Sequence, residues 1–144
     1  RGHVLICLGL AYTLASPGGA VTLRFVGGLL GQFAVWTKTA ADLVEAAHQA
    51  TAGDAAALHR LLQLDAPLTD ANAALFDVAH NFAGCIAGIN EVLARQGLLG
   101  GRWCLDPHED LSPGQADEIS RVIRDYPQLA DDAFIAEHRD RWLR

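Results

Sequence analysis

The sequence predicts an α/β fold: the C-terminal part of a (β/α)8 barrel followed by a helical extension, mostly helical by residue count. Three observations predict it. Residues 3–8, 21–26 and 33–37 are short apolar runs rich in β-branched residues and set off by glycines, the pattern of strands buried on both faces, as in a parallel sheet. From Thr39 onward the apolar positions recur at helical spacing. The chain has 144 residues, whereas a whole barrel takes about 250. A portion of a barrel is therefore expected, with the last barrel strands and a helix in residues 1–52 and the extension in residues 53–144.

The strands come first. Val4 to Leu8 ends at Gly9, Val21 to Val26 ends at Gly27, and Phe33 to Thr37 precedes the first helix. Between the first two, Ser16-Pro17-Gly18-Gly19 is a turn by composition. A helix over 40–52 has Thr39 as expected N-cap, with Asp42 in a capping-box position and Gly53 as its stop. Asp54 caps a second helix carrying Leu58, Leu61 and Leu62, which Pro67 is expected to end. Asp70 opens a third, with Leu75, Phe76, Val78 and Ala79.

Asn81 to Gly84 reads as a break. A fourth helix follows from Cys85 to Gln96 with Ile86, Ile89, Val92 and Leu93 on one face, and Gly97 stops it. Residues 98–111 are a loop, in which a buried Trp103 is expected. Ser112-Pro113-Gly114-Gln115 reads as a helix start: a cap, a proline at the first helical position and a glutamine at the third. Ala116, Ile119, Val122 and Ile123 form that helix's apolar face, and Tyr126-Pro127 ends it. A last helix from Asp131 or Asp132 is expected to bury Phe134, Ile135 and Trp142.

Composition narrows the function. The chain is 51% apolar with a net charge of −6, which excludes a disordered chain and argues against a nucleic-acid partner, since no basic patch is interleaved with aromatics. Cys7, Cys85 and Cys104 are odd in number and widely spaced, so they read as small buried hydrophobes in a reducing, cytoplasmic setting. There is no methionine, and a portion of a longer protein is expected. Residues Val4 to Leu23 carry no charge and are long enough to cross a bilayer. The Ser-Pro-Gly-Gly turn in their middle favours strands over a span, so a membrane is not the expected partner.

Lys38 is the only lysine. A Schiff-base role would require burial to lower its pKa, and its place before a helix reads instead as solvent-facing. Cys104 and His108 have ligand-like spacing but lack a second pair, so no metal site is expected. His48, His59, His80 and His138 read as packing or surface residues. Gly27-Gly28 and Gly31 lack a phosphate loop's lysine and spacing.

Residues 33–62 run Phe-Ala-Val-Trp-Thr, a helix, Ala52-Gly53-Asp54 and a second helix with paired leucines. Residues 75–99 run Leu-Phe-Asp, then Gly84-Cys-Ile-Ala-Gly-Ile-Asn-Glu-Val-Leu, then Gln96-Gly-Leu-Leu. This order is similar to the C-terminal part of the dihydrodipicolinate synthase / N-acetylneuraminate lyase family. The tail from Trp103 to Gln115 resembles a bacterial subgroup of it. The resemblance covers residues 30–144 and implies a class I aldolase-type barrel acting on 2-oxo acids such as pyruvate through a lysine Schiff base, without a cofactor. It implies a homo-oligomer with subunit contacts through the helical extension.

The family's sixth-strand lysine motif, relay tyrosine and carboxylate-binding loop have no match here, so no catalytic residue is assigned. The resemblance makes Gly9, at the end of a seventh strand, and Thr37, at the end of the eighth, the substrate-binding candidates. The alternatives are a non-catalytic helical interaction module, tethered to a membrane by the apolar N-terminal segment, and a free-standing helical regulator.

Overall fold

The computed structural model describes residues 11–24, 26–28 and 31–144. Two strands, β1 (Ala11–Ser16) and β2 (Gly19–Arg24), precede five α-helices: α1 (Thr37–Thr51), α2 (Ala55–Leu75), α3 (Cys85–Arg95), α4 (Gln115–Asp125) and α5 (Asp132–Trp142). Short 3₁₀ turns lie at Gly31–Ala34, Val78–His80 and Pro127–Leu129. The fold of the described residues is mostly α with one small sheet.

That sheet departs from the expected one. β1 and β2 pair antiparallel, from Ala11 opposite Arg24 to Ser16 opposite Gly19, around the Pro17-Gly18 turn. Leu14, Val21 and Leu23 are 53, 45 and 51% exposed. Among the described residues no second layer covers the ribbon's apolar faces, so the apolar run is not buried as a parallel strand would be. The strand expected over 3–8 lies outside the described residues.

The strand expected over 33–37 is instead the 3₁₀ turn Gly31–Ala34 followed by the first turn of α1. Val35 and Trp36 are still buried, in the core between the helices. The same apolar residues meet a helical layer rather than a strand neighbour, and among the described residues no strand ladder pairs with them.

The core joins Trp36 to Leu43 and Ala47 of α1, Leu61, Leu68 and Leu75 of α2, Val92 of α3, and Ile119 and Val122 of α4. The helix caps expected from sequence divide into two groups. Asp54 caps α2 as expected, its carboxylate accepting from the Ala56 and Ala57 N–H groups at 2.9 and 3.0 Å. Thr39 does not cap α1, which begins two residues earlier with Trp36 at the cap position and no side-chain cap of its own.

Pro67 does not end the second helix. α2 runs through it for 21 residues, because Leu61, Leu68, Ala71 and Leu75 keep one buried stripe across it. Their packing outweighs the roughly 3 kcal/mol that an interior proline costs. Asp70 consequently sits inside α2 and does not start a new helix.

Gly53 and Gly97 stop α1 and α3 with left-handed backbones, φ +106° and +74°. At both, the two amides beyond the helix turn back onto it: Gly53 N–H to the Ala50 carbonyl and Asp54 N–H to Gln49, Gly97 N–H to Ala94 and Leu98 N–H to Leu93. This paired arrangement satisfies carbonyls that the helix leaves unbonded, and a glycine adopts its φ without strain. Trp103, expected to be buried, is 79% exposed, and Leu105 beside it is fully exposed. Of the last helix, Ile135 is buried and Phe134 partly so, while Trp142 is 44% exposed.

Candidate functional site

Thr37 opens α1. Its hydroxyl donates to the Phe33 carbonyl at 2.8 Å, which closes the turn leading into the helix. With Lys38 and Ala41 it lines an open, largely apolar cleft of about 410 Å³, faced by Leu93 of α3 and by Phe134 and Trp142 of α5. The Lys38 ammonium is exposed and pairs with the Asp42 carboxylate one turn on. A solvated, ion-paired ammonium is not the desolvated amine that imine formation needs. Gly9, the other substrate-binding candidate, lies outside the described residues.

A buried polar cluster lies at the corner between α2 and α3. Asp77 follows α2 in a left-handed conformation, φ 55°, and Asn81 and Phe82 repeat it at 54° and 67°. Such backbone is uncommon away from glycine and is held by its surroundings. Asp77 is 3% exposed. It accepts from the Ser112 hydroxyl at 2.5 Å, from His80 Nδ1 at 2.6 Å and from the Gly84 N–H at 2.9 Å. Burial pushes its carboxyl up, but these donors outweigh burial and hold it below the ordinary carboxylate range.

Gln115 completes the corner. Its Oε1 accepts from the Ser112 N–H at 3.0 Å, and its Nε2 donates to the Gly84 carbonyl at 3.0 Å and to Leu75 at 3.4 Å. A Cβ on Gly88 would lie 2.1 Å from the Leu75 carbonyl oxygen, so α3 can cross the end of α2 this closely only with glycine there.

Ser112 was expected to cap a helix. It forms instead the first position of a turn, Ser112-Pro113-Gly114-Gln115, closed by the Gln115 N–H on the Ser112 carbonyl at 3.0 Å, with Gly114 at φ 82°. Pro-Gly at the two central positions suits a type II turn, and α4 starts only at Gln115. Half of the expected box survives, the glutamine side chain on the serine amide. The hydroxyl that was to cap goes to Asp77.

The chemistry open to this corner follows from who donates. Ser112 and His80 both give their protons to Asp77, so the serine is not poised to pass its proton to the histidine, and a nucleophilic triad is not formed. The His80 ring is fixed through Nδ1 and half exposed. Asp77 was not singled out in the sequence; Leu-Phe-Asp before a glycine-ended break is the one local signal of this buried carboxylate.

Elsewhere the residues stay apart. No three His, Cys, Asp or Glu residues group to hold a metal among the described residues. Burial, then the Glu109 carboxylate, pushes both the Cys85 and Cys104 thiols up, which disfavours the reactive thiolate. Asp70 takes both Arg121 terminal nitrogens, at 2.8 and 2.9 Å, and the Tyr126 hydroxyl at 2.7 Å, and these bonds hold its carboxyl down. His138 lies between Phe134 and Trp142, with ring centroids at 4.4 and 5.4 Å, a packing role as expected. No helix of the described residues is long and apolar enough to cross a membrane. Comparison with family models, with characterised proteins and with solved structures gives no match.

Proposed function

We propose that this chain is the C-terminal portion of a class I aldolase-type lyase resembling dihydrodipicolinate synthase. It would act on 2-oxo acids such as pyruvate through a Schiff base whose lysine is not among these 144 residues. The observation that supports this reading is the joint at Ala52-Gly53-Asp54. There α1 stops on Gly53, the Asp54 N–H returns to Gln49, and the Asp54 carboxylate starts α2. The family pattern places a small turn of this composition between these two helices. The stop at Gly97 falls where the family's extension has its helix stop.

A barrel's eighth strand would be parallel and buried on both faces, and a parallel strand needs neighbours supplied by other units. Residues 33–37 have no such neighbours among the described residues, and they run from the end of the 3₁₀ turn Gly31–Ala34 into the start of α1, with Val35 and Trp36 tucked against the helices. Thr37, at the end of that run, would then face the barrel mouth, where catalytic groups of this architecture collect. The extension would carry the subunit contacts of a homo-oligomer, and the free Cys85 and Cys104 thiols would suit the cytoplasm. The other reading, a helical interaction module, is favoured by Trp103 and Leu105, which stand in solvent as anchor residues do.

Borohydride trapping with pyruvate, read by intact mass and peptide mapping, tests the proposal. Residues 1–144 alone should give no stoichiometric adduct. The protein expressed from its full reading frame should be trapped on a lysine outside them. An adduct on Lys38, or none on the full protein, overturns the reading.

A further inference from the structure

The C-terminal segment reaches back to the start of α1. The N-cap residue there, Trp36, has no side-chain acceptor to offer, and the first amides of a helix need one. The acceptor comes from 93 residues away: Asp131 Oδ2 takes the Lys38 N–H at 3.0 Å. A carboxylate also suits the positive end of the helix. Asp131 is 6% exposed. Its other oxygen takes Gln96 Nε2 at 2.9 Å, and Asp132 takes the same amide group at 2.8 Å. Thr39 donates to the Ala130 carbonyl at 3.5 Å. One buried carboxylate thus ties the first turn of α1 to the end of α3, on the wall of the cleft that Thr37 lines.

We infer that Asp131 is a positioning residue, through which the tail of the chain fixes Thr37 at the mouth where the 2-oxo acid enters. This rests on the lyase reading. The tail is then part of the site's support as well as a cover for the helices: it sets the direction of α1 at the residue next to the one that meets substrate. Loosening it should weaken binding more than turnover, since the Schiff-base lysine lies on another element.

The test compares Asp131→Asn with Tyr126→Phe in the full-length protein. The second variant removes a tail contact to Asp70 that does not touch α1. Asp131→Asn should speed exchange of the Lys38 amide and raise KM for pyruvate about fivefold, the equivalent of one hydrogen bond, with kcat within about twofold. Tyr126→Phe should change neither. Unchanged Lys38 exchange in Asp131→Asn, or faster exchange with KM unmoved, overturns the inference. A wild-type protein that traps no pyruvate overturns the lyase reading, and the inference with it, and is distinguished by failing before any substitution is made.

Discussion

In the β1–β2 hairpin every backbone partner lies within the ribbon, whereas the Asp77 corner adds to its local His80 and Gly84 contacts bonds from Ser112 and Gln115 that span 31 to 41 residues. The hairpin is rich in apolar and β-branched residues, yet its Leu14, Val21 and Leu23 stay about half exposed. The corner is built from Asp, Ser, His, Gln and Gly, yet Asp77 and Gln115 are almost fully buried. Apolar content buries a segment only if a second layer lies opposite, and polar content can be buried if every donor finds its acceptor. The two regions should therefore respond very differently to perturbation.

The largest difference should appear in hydrogen exchange. Amides of β1 and β2 should exchange at least about a thousandfold faster than those of Leu61, Val92, Ile119 and Val122, because a two-stranded ribbon opens on its own while the core opens only with the whole fold. Comparable protection in both regions would mean that the hairpin shares the core's cooperativity.

Next in size is Asp77→Ala, which strands three donors in a buried corner and should cost about 3 kcal/mol in urea unfolding. A loss under about 1 kcal/mol would show that water replaces the carboxylate there.

The acid limb follows from the same residue and from Asp70. Both carboxyls are held below their ordinary values, so each contributes stability that is fully present above the unfolded pKa near 4 and is lost as pH falls through the lower folded value. Asp70→Asn and Asp77→Asn should each flatten the fall in stability below about pH 4, as read by urea midpoints across pH 2–6. An unchanged slope in both variants would contradict those shifts.

Ser112→Ala should cost about 1 kcal/mol, and the route matters more than the size. If the hydroxyl acts through Asp77, the cost should largely vanish in an Asp77→Ala background, because the two changes share one interaction. Full additivity would return the serine to a helix-capping role. The smallest effect is in the hairpin: Leu14→Thr should move stability by no more than about 0.5 kcal/mol, since a half-exposed residue without a second layer has little packing to lose.

Local signals were legible wherever a few adjacent residues carry the physics. Asp54 as a cap, Gly53 and Gly97 as stops and the end at Tyr126-Pro127 all depend on backbone conformations or short-range hydrogen bonds; the break expected at Asn81 to Gly84 begins earlier, at Phe76, so Val78 and Ala79 lie in a 3₁₀ turn and not in a third helix. Signals that a long-range contact overrides were misread. Pro67 is a strong local breaker, but the buried stripe of α2 carries the helix past it. Thr39 and Ser112 look like caps in isolation, but Asp131 supplies the acceptor for one helix and the Pro-Gly turn delays the start of the other. Thr37 was singled out and does line a cleft. Asp77 was not, and Asp131 was named only as a start of the last helix, because nothing adjacent to either shows which amide or hydroxyl will reach it.

The sequence by itself determined where α3 and α5 lie, that a helix ends at Gly53 and another at Gly97, and which leucine, valine, isoleucine and alanine positions of those helices are apolar. Those outcomes follow from periodicity, capping and φ, which act over a few residues. Only the tertiary structure decided that the apolar run at 33–37 would turn into a helix start and not a strand. It also decided that Asp77 would bind Ser112 and His80 together, and that the start of α1 would be capped from the far end of the chain. Each of these depends on a partner more than 30 residues distant or on a neighbouring layer. The free energy of a buried polar group or an apolar strand is fixed by what lies opposite it, and sequence order alone does not say what that is.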